Sequence, residues 1–487
     1  MEPEPATQGL PLDLPPAAME SMGREVLERV VGHLATIAEQ PARGDIDADD
    51  LCRALTERSA PEHGRPLTGV LDDLVDDWYT RTFTTPGPGY LAYVPGGGLF
   101  TSALADFLAS ALNRYTGVWQ AAPVLVQLEA NVLSWLTDWM GMPDSTRGLL
   151  TTGGSLANLG AIVCARETLG TDLRDGVLYT STQTHMCVAK SAKLAGILPD
   201  RVRRLPVDEQ FRMRVDALEA AIAEDRALGL KPFLVASSAG TTNTGAVDPL
   251  DAIADLCERE GIWHHIDGAY GACFHMCPEL RPLMSGLSRA DSLTLDPHKG
   301  MFLPYGTGAL LVRDGRMLHA AHAATAEYLP TPPEEGGFYD PSQYGPELSR
   351  PFRGLRVWLP LVLHGAGAFR DALSEKRLLA VQAAEELSQV PGLVLKAPPQ
   401  LSLFAFHLAW PGASLEEENA ATREMEEAVV QRGRVMITGC TIDGRFLARV
   451  CVLSFRTDAE RMRACVEDIT AEVQAAFARR SVSPAGA

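Results

Sequence analysis

Two short stretches of this chain carry residue types suited to covalent catalysis. His265-Ile266-Asp267-Gly268-Ala269-Tyr270 sets a carboxylate at the end of an apolar run, and Asp296-Pro297-His298-Lys299 sets a lysine before Gly300-Met301-Phe302-Leu303. A lysine amine can hold an aldehyde cofactor as a Schiff base, and an acid can keep a pyridine nitrogen protonated so that the ring accepts electrons. Pyridoxal 5'-phosphate (PLP) chemistry needs that pair. Apolar surroundings are expected to lower the Lys299 pKa and favour the neutral amine. A carboxylate ending a buried strand needs a cationic partner, and a pyridinium N–H supplies one. The plainer alternatives are an Asp267 that caps a turn and a Lys299 on a surface turn.

Further residues fit the same chemistry. Thr152-Gly153-Gly154-Ser155 precedes a helical run over 156–166, and free N–H groups, a hydroxyl and a helix dipole together make an anion site for a phosphate. The same residues also fit a tight turn with an N-cap. His185 follows a strand and offers a flat ring for stacking, or else a cap or core residue. In Gly240-Thr241-Thr242-Asn243-Thr244-Gly245 the hydroxyls suit a ring oxygen or a carboxylate, or simply a hydrophilic loop. His264, His265, Cys273, His275 and Cys277 are of zinc-ligand types. The last three alternate with Phe274 and Met276, however, and this marks packed structure, so no metal is expected.

The elements that must position these residues alternate. Strands are expected at Gly176–Thr180, Pro232–Ser237, Ile262–Asp267, Ser292–Leu295 and Gly308–Val312, with helices such as Ala217–Leu228 and Pro249–Glu260 between several of them. Such a pattern argues for an α/β domain with a mostly parallel sheet, whose ligands sit at the carboxyl ends of strands. Helical patterning also covers residues 20–85, with an N-cap near Asp47, and Val124–Met140. A Pro/Gly-rich loop spans Pro86–Gly98, and residues 325–349 form a lid or linker. From Phe352 to Leu387 the chain reads as helix. Strands at Leu401–Leu408 and Phe446–Leu453 and a last helix at Ala459–Arg479 make a small α+β domain. The expected division is a disordered tail at 1–19, a helical segment at 20–85, a large domain at 86–360 and a small C-terminal domain at 361–487.

The formal charge of -19 over 487 residues argues against nucleic acid and anionic membranes as partners. No apolar run is long enough to span a bilayer, and the Pro-rich, acidic start lacks the features of a signal peptide. Nine dispersed cysteines fit reduced thiols and a cytoplasmic setting.

Taken in order, the Gly-Gly-Ser, His185, Thr242, Asp267 and Lys299 positions resemble the group II PLP-dependent amino-acid decarboxylases, the family that includes aromatic-L-amino-acid decarboxylase. The resemblance runs from about Met22 to Ala475. It extends to Tyr93-Val94-Pro95, Trp119-Gln120-Ala121-Ala122-Pro123 and Arg350-Pro351-Phe352-Arg353-Gly354-Leu355-Arg356. It implies fold type I of the PLP-dependent transferases and a homodimer with active sites at the interface. The N-terminal helical segment would wrap the second copy. In this resemblance Lys299 forms the Schiff base, Asp267 pairs with the pyridine nitrogen and His185 stacks on the ring. Gly154 and Ser155 hold the phosphate, Thr242 and Ala269 contact the cofactor, and His298 lies beside the lysine. Arg449 falls near a position that orients the small domain. The implied reaction is loss of carbon dioxide from an L-amino acid to give the amine. Tyr93, Pro95, Tyr115 and Trp119 fall on the substrate pocket, and with Val94, Thr116 and Gly117 they favour an aromatic or bulky apolar side chain.

The chain departs from the family at two places. A loop tyrosine usually protonates Cα, and counting back from Arg350–Arg356 puts Pro341 there, with Tyr328, Tyr339 and Tyr344 nearby. Tyr339 and Tyr344 are the expected substitutes. Members without that tyrosine give aldehyde, ammonia and peroxide, which leaves oxidative deamination as an alternative. Gly300 stands where many relatives carry tryptophan, which is expected to enlarge or loosen the site. An aminotransferase and a non-catalytic protein of the same fold are the remaining alternatives.

Overall fold

The computed structural model describes residues 10–56, 59–170, 173–324, 327 and 338–481. Strands β1 (Arg147–Thr151), β2 (Gly176–Ser181), β3 (Val202–Leu205), β4 (Lys231–Ser238), β5 (Trp263–Asp267), β6 (Ser292–Leu295) and β7 (Gly308–Val312) form one sheet in the order β1-β7-β6-β5-β4-β2-β3. Strands β2 to β6 pair in parallel, and β7 runs antiparallel to both β6 and β1. Every residue of β2 is buried, as expected where helices cover both faces of a parallel sheet and the strand reads as a continuous apolar run. The helix Leu250–Glu260 buries Leu250, Ile253, Ala254, Leu256 and Cys257 on one face. It ends at Gly261 (φ 64°), where a left-handed residue closes the last turn and β5 follows.

The small domain is an antiparallel sheet of β8 (Leu393–Leu395), β9 (Leu403–Leu408), β10 (Thr438–Ile442) and β11 (Arg445–Cys451) in the order β10-β11-β9-β8. The helices Leu415–Gln431 and Ala459–Arg480 share its core, where Met425, Val429, Met462 and Ile469 are buried. The Pro/Gly-rich loop is stitched to it. Leu91 N donates to Met436 O at 2.9 Å and Cys451 N donates to Leu91 O at 2.9 Å.

Several expectations are corrected. The first helix, α1 (Pro16–Ala35), begins inside the segment read as a tail, and residues 1–9 lie outside the described residues. The next helix starts at Asp49 after Ala48, with no capping side chain, rather than being capped near Asp47. Strands β3, β8 and β10 were not foreseen. The helix Arg353–Leu387 crosses the expected 360/361 boundary, and its backbone leaves helical geometry at Gly365 (φ 76°, ψ 151°).

Candidate active site

The ends of β4, β5 and β6 deliver Ser238, Asp267 and Asp296 to one cavity of about 310 Å³. Its position at the carboxyl ends of parallel strands follows from topology. Six of the eight expected cofactor contacts, Gly154, Ser155, His185, Thr242, Asp267 and Ala269, share its wall with His298 and Lys299, which complete the set. The helix Gly154–Arg166 points its first turn at the cavity and has no side-chain cap, so it presents N–H groups, a hydroxyl and the positive end of its dipole. A side chain at Gly153 would enter that cradle, because its Cβ would lie 3.1 Å from His298 Cε1.

Lys299 sits in the single turn Pro297–Gly300, and its Nζ lies 3.1 Å from Asp296 Oδ2. Burial lowers the amine's pKa, but the Asp296 and Asp267 charges outweigh it, so the net shift is upward. The expectation of a lowered pKa is overturned: the strand β6 that presents the lysine also delivers a carboxylate to it. Asp296 is 2% exposed and its Oδ1 has no hydrogen-bond partner. Burial holds its carboxyl above the usual range. His298 donates from Nδ1 to Thr307 O at 2.7 Å, and Nε2 lies 3.6 Å from Asp296 Oδ2.

His185 is both a cap and a wall residue. Its Nδ1 accepts from Cys187 N at 3.3 Å at the start of the helix Met186–Leu194, which leaves the proton on Nε2. Burial lowers its pKa, so the ring is neutral and suited to stacking. Asp267 accepts from Ala269 N at 3.1 Å and from Asn158 Nδ2 at 3.2 Å. The sequence reading missed Asn158. Its signal was an amide on the otherwise apolar helical run Leu156–Ile162, four residues after Gly154 and therefore on the same face.

Other expected residues lie elsewhere. Tyr339 is half-buried, with its hydroxyl inside near Glu129 and Arg350 and its ring stacked on Tyr344 at 5.3 Å. Tyr344 packs on His319 and borders a separate groove with Arg147 and Arg316. Neither tyrosine lines the Lys299 cavity, and each is packed within its own subunit. Tyr328 lies outside the described residues. Tyr93 is half exposed with φ 51°, and Pro95 is buried in the same loop. Tyr115 and Trp119 sit beside Leu348 and Phe338. None of these four borders the cavity in its own chain. Arg449 donates to Tyr93 O, Thr242 O and Thr438 Oγ1, tying β11 to both loops.

Gly300 does not loosen the site. A Cβ there would come within 2.4 Å of Cys273 Cβ, so that thiol side chain fills the space. The residues of zinc-ligand type are spent on other partners: His264 on Ser237, His265 on Ser292 and Asn158, and His275 on Trp139 O. Among the described residues no group of three or more His, Cys, Asp and Glu could hold a metal.

A lysine, a buried carboxylate, a flanking imidazole and a phosphate cradle at the ends of a mostly parallel sheet define a fold-type-I PLP enzyme. Residues 50–409 match the pyridoxal-dependent decarboxylase conserved domain. The chain is 35% identical over 454 residues to an aromatic-L-amino-acid decarboxylase of Bacillus atrophaeus, covering 93% of this chain and 94% of that one. It is 26% identical to a phenylacetaldehyde synthase of Arabidopsis thaliana, over 91% of this chain and 94% of that one. The structure of Catharanthus roseus tryptophan decarboxylase in complex with L-tryptophan superposes with a TM-score of 0.88 at 25% identity, covering 95% and 100% of the two chains. The chain belongs to the pyridoxal-dependent decarboxylases. It is a PLP-dependent amino-acid decarboxylase. Among the described residues no helix is long and apolar enough to cross a membrane.

Proposed function

We propose that the chain decarboxylates an aromatic L-amino acid to the amine, with Lys299 as the cofactor lysine. The convergence of Lys299, Asp267 and His185 on one cavity carries this reading. When bound, PLP supplies an electron sink for the bond to the departing carboxylate. The residues then divide the work. Lys299 would supply the amine, Asp267 would pair with the ring nitrogen and His185 would cover one ring face. Gly154 and Ser155 would hold the phosphate, with Thr242, Ala269 and His298 available to the ring. The aromatic preference draws support from the decarboxylases named above and from the aromatic surfaces of Tyr115, Trp119 and Phe338, the last two stacked at 4.6 Å. Those rings lie outside their own chain's cavity, which fits a homodimer whose second copy completes each site. The nine free cysteines fit the cytoplasm.

The test is a product assay on the PLP-loaded protein with a panel of L-amino acids. Carbon dioxide matched by amine from an aromatic substrate is expected, and Lys299→Ala is expected to abolish both turnover and the absorbance of covalently held cofactor. A coloured, active Lys299→Ala protein would overturn the assignment. Tyr339 and Tyr344 do not line their own chain's cavity, and Tyr328 is the third tyrosine of that segment that could protonate Cα. Tyr328→Phe is expected to shift the products from amine toward aldehyde and peroxide. If Tyr328→Phe releases amine alone at the wild-type rate, another acid acts.

A further inference from the structure

A buried chain of hydrogen bonds runs from the far end of β5 to Asp267. Trp263 Nε1 lies 2.8 Å from Ser292 Oγ, and Ser292 Oγ lies 2.9 Å from His265 Nδ1. His265 Nε2 lies 2.7 Å from Asn158 Oδ1, and Asn158 Nδ2 lies 3.2 Å from Asp267 Oδ2. His265, Asn158 and Ser292 are each 0% exposed.

The two ends fix the direction of every bond. Indole N–H only donates, and an ionised carboxylate only accepts. The Asn158 amide must therefore turn its NH2 to Asp267, which turns its oxygen to His265 Nε2. Thr294 Oγ1, at 3.0 Å, donates to that same oxygen and pins the amide. His265 then carries its proton on Nε2. Burial holds the ring neutral, pushing its pKa down to about 4, so Nδ1 is left as an acceptor. Ser292 donates to Nδ1 and accepts from Trp263. All four bonds thus donate toward Asp267, and an unbroken chain of like-directed bonds polarises in one sense.

We propose that Asn158 and His265, backed by Ser292 and Trp263, are positioning residues that keep Asp267 ionised and aimed at the cofactor's ring nitrogen. Asn158 borders the cavity, but its amide is bonded to Asp267, His265 and Thr294; it and the residues behind it act through the carboxylate. Donors to a carboxylate favour its charged form, and a charged Asp267 holds the proton on the ring nitrogen. The inference rests on the reading that Asp267 faces that nitrogen.

The experiment loads the apoprotein with ring-nitrogen-labelled PLP. It reads the nitrogen's protonation by solid-state nitrogen-15 NMR and the cofactor Kd by fluorescence titration. Asp267→Ala is the reference for the underlying reading. Wild type is expected to show a protonated ring nitrogen at neutral pH and Asp267→Ala a deprotonated one. Asn158→Leu and His265→Leu are expected to lose part of the protonated signal and to raise Kd about tenfold, the lower end of the effect that outer-shell partners have at metal sites. His265→Gln keeps an N–H that reaches Asn158 and is expected to restore both readouts. If Asp267→Ala loses the protonated signal while folded Asn158→Leu and His265→Leu keep the wild-type signal and Kd, the proposal is overturned and the cofactor reading stands. If Asp267→Ala keeps the protonated signal, the reading fails and the proposal with it. Should the leucine variants not fold, Trp263→Phe and Ser292→Ala remove only the outer donors. A partial loss of the protonated signal in these two supports the relay, and an unchanged signal in both overturns it.

Discussion

Lys299 must be neutral to attack an aldehyde, yet its Nζ lies 3.1 Å from the buried carboxylate of Asp296. In the protein without cofactor the two groups stabilise each other as ammonium and carboxylate. The sign of the effect is definite: the Lys299 pKa is raised, so the ammonium persists as pH rises and the neutral fraction appears only at higher pH. Asp296→Asn removes the carboxylate and is expected to move the pH profile of cofactor capture by the apoprotein to lower pH. Each unit of downward shift raises the neutral fraction about tenfold at a fixed pH below the pKa. Stopped-flow absorbance across a pH series checks this. Capture that is slower in Asp296→Asn at every pH would show that the carboxylate instead serves as the proton acceptor during capture. Lys299, Asp267 and His185 were legible because each stands in a local context that makes its residue type uncomfortable as plain structure. The charge state of Lys299 was not legible. It depends on how far Asp296, three positions earlier, turns toward the amine, and the turn Pro297–Gly300 decides that.

At the scale of elements, the stretch Arg350–Arg356 proves to be an anchor for the large domain. Arg350 pairs with Glu129 at 2.6 Å with both side chains buried, Arg353 pairs with Glu347 and Arg356 with Asp106. Gly354 lets the helix Arg353–Leu387 close on Glu129, where a Cβ would meet Glu129 Cβ at 2.6 Å. Gly300 and Cys273 make the same kind of contact beside the active site. Gly300→Ala is expected to destabilise by about 1–3 kcal/mol through overpacking. Combined with Cys273→Gly, it should cost less than the sum of the two single changes. Urea denaturation of the four proteins in that cycle measures the coupling, and additive costs would show that the two residues do not compete for space. Strands of the central sheet were legible where both faces are buried, as in β2 and β4. By contrast, β3 (Val202–Leu205) is an edge strand with two arginines, Arg203 paired to the buried Asp225. β10 (Thr438–Ile442) has no apolar alternation and is a strand because β11 supplies its partners.

At the scale of the whole molecule, α1 (Pro16–Ala35) is a helix of 20 residues that buries none of them. Met19, Val26, Leu27 and Val31 are 51%, 40%, 48% and 49% exposed. The helix is held to its own chain through Arg29, which pairs with Asp72 and Asp76, and Thr68, which donates to Glu25. A helix that buries no apolar face lacks the packing that normally keeps it folded in water. The chain exposes further apolar groups at Phe107, Leu112, Val124, Val362 and Leu363. Patches of this kind mark association surfaces, and a two-fold arrangement would let each copy cover the same patch on the other. Under the proposed homodimer, deleting residues 1–35 is expected to weaken association and to lower turnover, because the Tyr115 and Trp119 of one copy would be lost to the cavity of the other. Sedimentation velocity on the full chain and the truncated form, run beside the product assay, separates the outcomes. A truncated dimer with full activity would place the interface on the Phe107 face alone, and a monomeric, fully active full-length chain would remove the dimer from the mechanism. Leu27→Glu with Val31→Glu keeps the chain length and puts charge on the exposed face. It should reproduce the truncation if apolar contact, rather than the mere presence of the segment, joins the two copies.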